Sequence, residues 1–593
     1  MLKLTALDYA MIVVYFIVVI SVGFFLRKKA SKNLFSFFVA NREYHWFWIG
    51  TSMVATTFSA DTPLAVSGIT ANQGISGNWF WWSWILTYMS FAIFYSKFWW
   101  RSKIITDVEF TELRYSGKEA AILRFIKAFY FSILLNGIIL GWVFHSLYKI
   151  LYPIVDLSFS LDWFVRIYPE FLVMGNYHQT FVSLVLIFVV VLYASFGGIR
   201  SGISNDALQF VVAMGGSLYF AFFALSYVGG SEGLISQIKT LYPDESEQIL
   251  SFFPNSWDAL SLFLIYFGVQ WWTQYYSDGT GYLVQRMNTA KTEKDAQLSV
   301  LWFSFANFVI RTWPWVVIGL VGLVLYPKTN CLGDQLLCQD REFVYPVMMF
   351  ELLPEGLRGF LFLGLIAAFM STAETHLNWG ASYIANDFYK RFFRPNASEK
   401  ELVWVSKWGI VLMAILGIVF SSQMETISGA WKFLIAISAG IGLPQMLRWI
   451  WWRINAWSEI SGMISSLVLT LLVYLYLDDL KPEYQLILVA IGSVIISLVV
   501  TLLTKPTDYR VLAQFVEKVQ PYGFWKPYMG SNKIKPLIKD LILWVLGNIS
   551  ILMFMLSIGY FIFSQYVYSV LYVIGSVISG LPVIVSLVFN KNS

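Results

Sequence analysis

Apolar runs near 20 residues, the length that crosses a bilayer as a helix, recur along the whole chain. They cover 7–26, 46–72, 79–98, 122–150, 180–198, 203–228, 258–278, 301–326, 357–388, 402–422, 427–452, 457–477, 485–504, 541–563 and 565–588. The pattern predicts an all-α polytopic membrane protein with about 14–15 transmembrane helices. Two runs are interrupted by polar groups. In "FWIGTSMVATTFSADTPLAVSGIT" the residues Thr56, Thr57, Ser59, Asp61, Thr62 and Pro63 fall mid-span, and 258–278 ends in "WWTQYYSDGTGYLVQR", where Asp278-Gly279-Thr280-Gly281 favours loop over helix. Backbone left unsatisfied in lipid is costly, so such breaks persist where they line a cavity or bind something. Pro63 alone reads as an ordinary packed kink. Two breaks, each opening a five-helix half, instead point to an inverted-repeat transporter with its site near the bilayer midplane. A third run, "LIAAFMSTAETHLNWGASYIANDF", carries Ser371, Thr372, Glu374, Thr375, His376 and Asn378 within eight residues.

The composition fits this reading: 593 residues, mean hydropathy +0.63, 58% hydrophobic and only 13% charged. The net charge of +5 is explained by where the cations lie. Loops 27–32, 101–103, 114–127, 286–294, 390–400 and 505–539 are basic, whereas 152–178 and 229–257 hold few cations. Short Lys/Arg-rich loops stay cytoplasmic, which predicts an N-terminus outside, a plasma (cytoplasmic or inner) membrane location with the lipid bilayer as partner, and no nucleic-acid partner. At 7–26 the cations follow the apolar run and no small-residue cleavage site is visible, so it reads as a retained helix and not a signal peptide. The two cysteines, Cys331 and Cys338, share one predicted outer loop; a disulfide closing a small loop and two free thiols both fit. His45, His145, His178 and His376 make no metal-ligand spacing. No G-x-x-x-x-G-K-[ST], H-E-x-x-H or G-x-S-x-G occurs, which argues against an ATP-driven pump, a zinc protease and a serine hydrolase. The chain does not read as an enzyme.

Four stretches, "GTSMVATTFSA", "FGGIRSGISNDALQ", "GYLVQRMNTAKTEKDAQ" and "AAFMSTAETHLNWGASYIANDFYKR", resemble in order and spacing the sodium:solute symporter family of sodium/proline, sodium/galactose and sodium/pantothenate symporters. The resemblance implies a LeuT-like five-plus-five inverted-repeat core. Residues 1–45 would be an extra N-terminal helix and inner loop, 46–228 the first repeat, 229–257 an external loop, 258–452 the second repeat and 453–593 peripheral helices. It also implies Na+ as coupling ion and no organic cofactor. Ala368, Ser371 and Thr372 stand at i, i+3 and i+4 and so share one helix face, where a carbonyl and two hydroxyls offer the oxygen ligands that a hard cation takes. Carried over by motif, the sodium shell is the carbonyls of Ala55, Phe58 and Ala368 with the hydroxyls of Ser371 and Thr372. The plainer reading is that these hydroxyls bond their own i−4 carbonyls or a neighbouring helix. Asp206 matches an acidic position the family links to sodium coupling; it also reads as a first-turn acid at a helix N-terminus with Ser204 as cap. Glu374 and His376 depart from the family's smaller residues and read as lining an inner exit path or pairing with inner cations.

The solute pocket is expected between the breaks, lined by Thr57, Asp61, Thr62, Trp81, Gln270, Thr273, Tyr276, Asn307 and Lys432. Tyr276 matches the position of an aromatic inner gate in sugar-carrying relatives. A lysine and a glutamine used by those relatives are replaced by Asn307 and Lys432, so the resemblance supplies a mechanism and no cargo. Hydropathy places three ionisable residues, Asp61, Arg311 and Lys432, well inside the membrane, where charges default to functional hypotheses. They fit a charged or zwitterionic solute, or Asp61 neutralises Lys432. The expected function is sodium-coupled symport that imports a small organic solute by alternating access. A sensor built on a transporter scaffold would normally add a soluble output domain; a channel sits poorly with occluding aromatics; an intramembrane enzyme lacks any nucleophile and base arrangement.

Overall fold

The computed structural model describes residues 5–8, 10–11, 13–14, 17, 21, 38–154, 160–328, 335–477 and 479–589, with backbone alone at 196–202, 204–205, 258, 335–336 and 589. Most of the first expected helix, 7–26, lies outside the described residues, as does Cys331. Cys338 is disulfide-bonded.

The chain is all helical. Its main elements are α1 (Trp46–Thr56), α2 (Asp61–Gln73), α3 (79–102), α4 (Gly117–Leu151), α5 (Tyr177–Tyr227), α6 (257–273), α7 (Glu293–Leu325), α8 (Leu357–Phe393), α9 (Glu399–Ser422), α10 (Ile427–Ser438), α11 (Gly442–Ile450), α12 (Ala456–Tyr476), α13 (Pro482–Leu503), α14 (Ile534–Ile562) and α15 (Tyr566–Phe589). Among the described residues ten helices are long and apolar enough to cross a membrane, and an eleventh counts if α10 and α11, bent by 49°, form one span. The expected 14–15 spans also include 7–26, most of which lies outside the described residues, and 46–73, 79–102 and 257–273, which are helical in pieces and so are not among the ten. The runs 180–198 and 203–228, read as separate from the sequence, form one helical stretch: α5 continues through Gly197-Gly198 and is 51 residues long, with two segments, Tyr177–Ser195 and Asp206–Tyr227, each long and apolar enough to cross.

Each interruption has a local cause. Pro63 stands in the first turn of α2, where no amide donor is required, but its ring excludes a helical carbonyl at Ser59, so α1 stops at Thr56. After α6 the chain turns at Gln274 (φ −69°, ψ 146°) and passes through Gly279 (φ 93°) and Gly281 (φ 107°). A Cβ on Gly279 would lie 2.3 Å from the Phe91 ring, so only glycine fits. In α7 Pro314 cannot donate to the carbonyl of Ile310, and the chain answers with a π turn at Ala306–Ile310 that leaves Arg311 at the joint.

The second break is pinned by buried ions. Arg448 of α11 and the Trp449 indole both donate to Asp278 at 2.7 Å, Thr280 donates to the other Asp278 oxygen at 2.7 Å, and the Trp99 indole donates to the Asp278 carbonyl at 2.7 Å. Arg448 also reaches Glu459 of α12 at 3.2 Å, and Glu459 pairs with Lys127 of α4 and accepts from Tyr115. All six charged or hydroxyl groups, Asp278, Thr280, Arg448, Glu459, Lys127 and Tyr115, are buried. α14 joins the same side of the molecule through Lys97–Asp540 (2.6 Å), the Trp544 indole on the Leu86 carbonyl (3.0 Å) and the Trp313 indole on the Met555 carbonyl (2.6 Å).

Removing one partner of a buried pair strands the other, at a cost of about 3–5 kcal/mol. Arg448→Met is accordingly expected to lower the unfolding temperature of the purified protein clearly, whereas Arg394→Met, at a side chain 67% exposed, should leave it nearly unchanged; scanning fluorimetry reads both.

Candidate functional site

The polar stretch of α8 faces the first break. Thr372 Oγ1 donates to the carbonyl of Thr56, the last helical residue of α1, at 2.8 Å. Ser371 Oγ donates to Asp206 at 2.6 Å, and Ser52 Oγ donates to the other carboxylate oxygen at 2.5 Å. Because a carbonyl and a carboxylate only accept, both α8 hydroxyls have spent their protons outward and keep their lone pairs. A hydroxyl polarised in this way is a better cation ligand than a free one. Ser371 and Thr372 thus bridge α8 to α1 and α5 and do not bond back to their own helix. The carbonyl that Thr372 meets is that of Thr56. Ala55 and Phe58 flank it, buried, with the Phe58 amide donating to the Ala55 carbonyl at 3.1 Å; Ala368 lies one turn before Thr372 on the buried face of α8.

Asp206 is completely buried inside α5, so it is not a first-turn acid at a helix N-terminus. Its charge is balanced by Arg286 at 3.3 Å, which sits on the short helix Tyr282–Met287 that follows the second break. Arg286 Nε donates to Thr56 Oγ1 at 2.7 Å and Nη2 to Thr375. One guanidinium therefore ties the first break, α5, α8 and the segment after the second break together. Sequence reasoning placed Arg286 in a basic loop and missed it; its position just after the Asp278–Gly281 break was the available signal.

A central cavity of ≈ 100 Å³ lies against this cluster. Of the expected lining residues, Thr57, Asp61, Thr62, Trp81, Tyr276 and Asn307 line it, joined by Arg311, Thr372 and His376. The rings of Tyr88 and Tyr276 stack at 5.7 Å, and Tyr275 stacks on Trp379 at 6.4 Å, giving the cavity an aromatic wall. Asn307 accepts from Thr57 Oγ1 at 3.2 Å, and Arg311 Nη1 donates to the same oxygen at 3.1 Å.

Three expected lining residues do not border this cavity. Gln270 turns away to donate to the Phe80 carbonyl at 2.9 Å, and Thr273 bonds the Gln270 carbonyl within its own helix. Lys432 pairs with Glu483 of α13 at 3.3 Å, so it is not neutralised by Asp61. Nor do Glu374 and His376 pair with inner cations: Glu374 accepts from Asn378 at 3.2 Å, and His376 bonds Asn136 at 2.7 Å with its ring against Tyr282.

Comparison with known proteins agrees with this architecture. The profile described as "Sodium:solute symporter family" matches residues 170–465. A sodium/glucose cotransporter 4 of Danio rerio is 25% identical over 89% of this chain and 85% of its own, and a sodium/myo-inositol cotransporter 2 of Homo sapiens is 24% identical over 84% and 76%. A sodium/glucose cotransporter of Vibrio parahaemolyticus is 23% identical over 78% and 84%. The solved structure of a Na+-coupled sialic acid symporter in a substrate-bound outward-open state shares the fold, with a TM-score of 0.65 at 20% identity over 85% of this chain and 99% of that one. The profile match, the span of these relatives and the paired breaks all lead to one assignment: the chain belongs to the sodium:solute symporter family.

Proposed function

We propose that the sodium ion driving this symporter binds where α8 crosses the first break, held by the hydroxyls of Ser371 and Thr372 and the carbonyls of Ala55, Phe58 and Ala368. The observation that carries this reading is the direction of the two hydroxyl bonds, Thr372 to the Thr56 carbonyl and Ser371 to Asp206. Both oxygens keep lone pairs beside the break, on side chains that are buried. Asp206 is a coupling residue rather than a direct ligand: its net charge is cancelled by Arg286, which keeps the ion weakly enough bound to leave. The solute sits in the adjacent cavity, whose wall includes Thr372, so ion and solute share one side chain. An ion that orders this region raises solute affinity, and the reverse holds by linkage.

The drive is adequate for uphill import. One sodium crossing the membrane releases about 2.3 kcal/mol per 100 mV, and each tenfold concentration ratio adds about 1.4 kcal/mol. The basic loops at 101–103, 286–294, 390–400 and 505–539 support a plasma-membrane protein with an external N-terminus. The repeats are read as 46–228 and 258–452, each opening with a broken helix, and Tyr276, stacked on Tyr88, as the gate that must swing for release inward. Asp61 and Arg311 in the cavity wall support a solute that carries charge.

Losing one ligand oxygen removes about 1–2 kcal/mol, so Ser371→Ala and Thr372→Ala should each raise the sodium concentration for half-maximal thermal stabilisation about tenfold with expression unchanged. An unaltered sodium titration in both would overturn the site. Asp206→Asn strands Arg286 and should lower the unfolding temperature as well as the sodium response; adding Arg286→Gln should restore the temperature but not the response.

A further inference from the structure

Two opposite charges line the central cavity and do not meet. Asp61 is the one carboxylate and Arg311 the one permanent cation among the lining residues, at 5% and 4% exposure. Among the described residues no ion pair joins them, or joins either to another charged side chain. The Asp61 carboxylate accepts from the Thr62 hydroxyl, at 3.4 Å, and from the backbone amides of Thr62 and of Asp61 itself, all neutral donors. Arg311 spends Nη1 on Thr57 and on the Val54 carbonyl at 3.3 Å, while its Nε has no partner within the protein. Other wall groups are equally unsatisfied: Ser59 Oγ from the first break, both amide atoms of Gln274 at the second, and the Trp84 indole nitrogen. Buried polar groups without partners are rare and costly. Here they converge from both breaks, α3 and the α7 joint on one volume.

We propose that the solute is a compact zwitterion, its carboxylate held by Arg311 and its cationic nitrogen facing Asp61. This rests on the reading that the cavity is the solute site. A monoanion would satisfy Arg311 but confront Asp61, and a monocation the reverse. A polyol can hydrogen-bond both yet leaves two separated charges unneutralised in a dry pocket, where desolvation of each is costly. A zwitterion neutralises both at once. The volume of ≈ 100 Å³ is smaller than the roughly 150 Å³ cavity that takes up one benzene, so it limits the solute to a compact molecule such as a small amino acid. The walls of Trp81, Trp84, Trp142 and Trp431 cover its hydrocarbon body and favour a cationic end.

The test is a thermal-shift panel on the purified full-length protein in NaCl and in KCl, with L-alanine, L-proline and glycine betaine as zwitterions. L-lactate serves as the anion, isopropylamine as the cation, and D-glucose and myo-inositol as polyols. At least one zwitterion should raise the unfolding temperature while lactate, isopropylamine and the polyols do not. Asp61→Asn and Arg311→Gln should each weaken that zwitterion at least tenfold, and Asp61→Asn should let L-lactate stabilise. Silence of every zwitterion, a response to polyols instead, or equal zwitterion affinity in both variants overturns the clamp. Zwitterion shifts of the same size in NaCl and KCl would sink sodium coupling and leave the clamp standing; a sodium shift without any zwitterion response would do the opposite.

Discussion

A peptide group that leaves a helix inside a membrane must find another partner, and the rest of this structure is arranged around meeting that demand at two places. Neither break is free to solvate itself. At the first, the Thr56 carbonyl is met by Thr372 and the Thr56 hydroxyl by Arg286. At the second, Asp278 gathers Thr280, Arg448 and Trp449 around a turn that only glycine can make. Polar side chains in an apolar chain are thus explained first by backbone accounting, and their chemistry follows from it.

The two breaks are satisfied in different ways, and the difference matters for transport. The second is closed by charges fully removed from water, a chain running Asp278, Arg448, Glu459, Lys127 that joins four elements distant in sequence. Such a network is strong only while every member is in place. The first is held by neutral hydroxyls around a single compensated ion pair, and it opens directly on a cavity where Ser59, Trp84, Gln274 and Arg311 each leave a polar atom without a partner. One break is locked and the other is left receptive.

The sequence made some of this legible. Spacing alone put Ser371 and Thr372 on one face of α8, and turn chemistry located both breaks, because these depend on residues close along the chain. It did not reveal Arg286 or the Asp278–Arg448 pair, whose partners lie far away in sequence, nor the continuity of α5 through two glycines that usually signal a loop. Lys432 shows the converse. Hydropathy placed it mid-membrane as a partner for Asp61, yet from the middle of α10 its long stem reaches Glu483 in the first turn of α13, a direction no one-dimensional profile records. The sequence count of 14–15 and the ten long helices differ for a related reason: interrupted spans are apolar enough to be read from the sequence and too short, piece by piece, to be counted as single long helices.

The terminal pair α14 and α15 is fastened to α3 and α7 by Lys97–Asp540, Trp544 and Trp313, and α15 presents mostly exposed apolar side chains. It is an outrigger on the two helices beside the cavity. Any tilt of α3 or α7 would carry this paddle with it through the surrounding lipid, so bilayer thickness and viscosity would enter the speed of such a movement as mechanical drag.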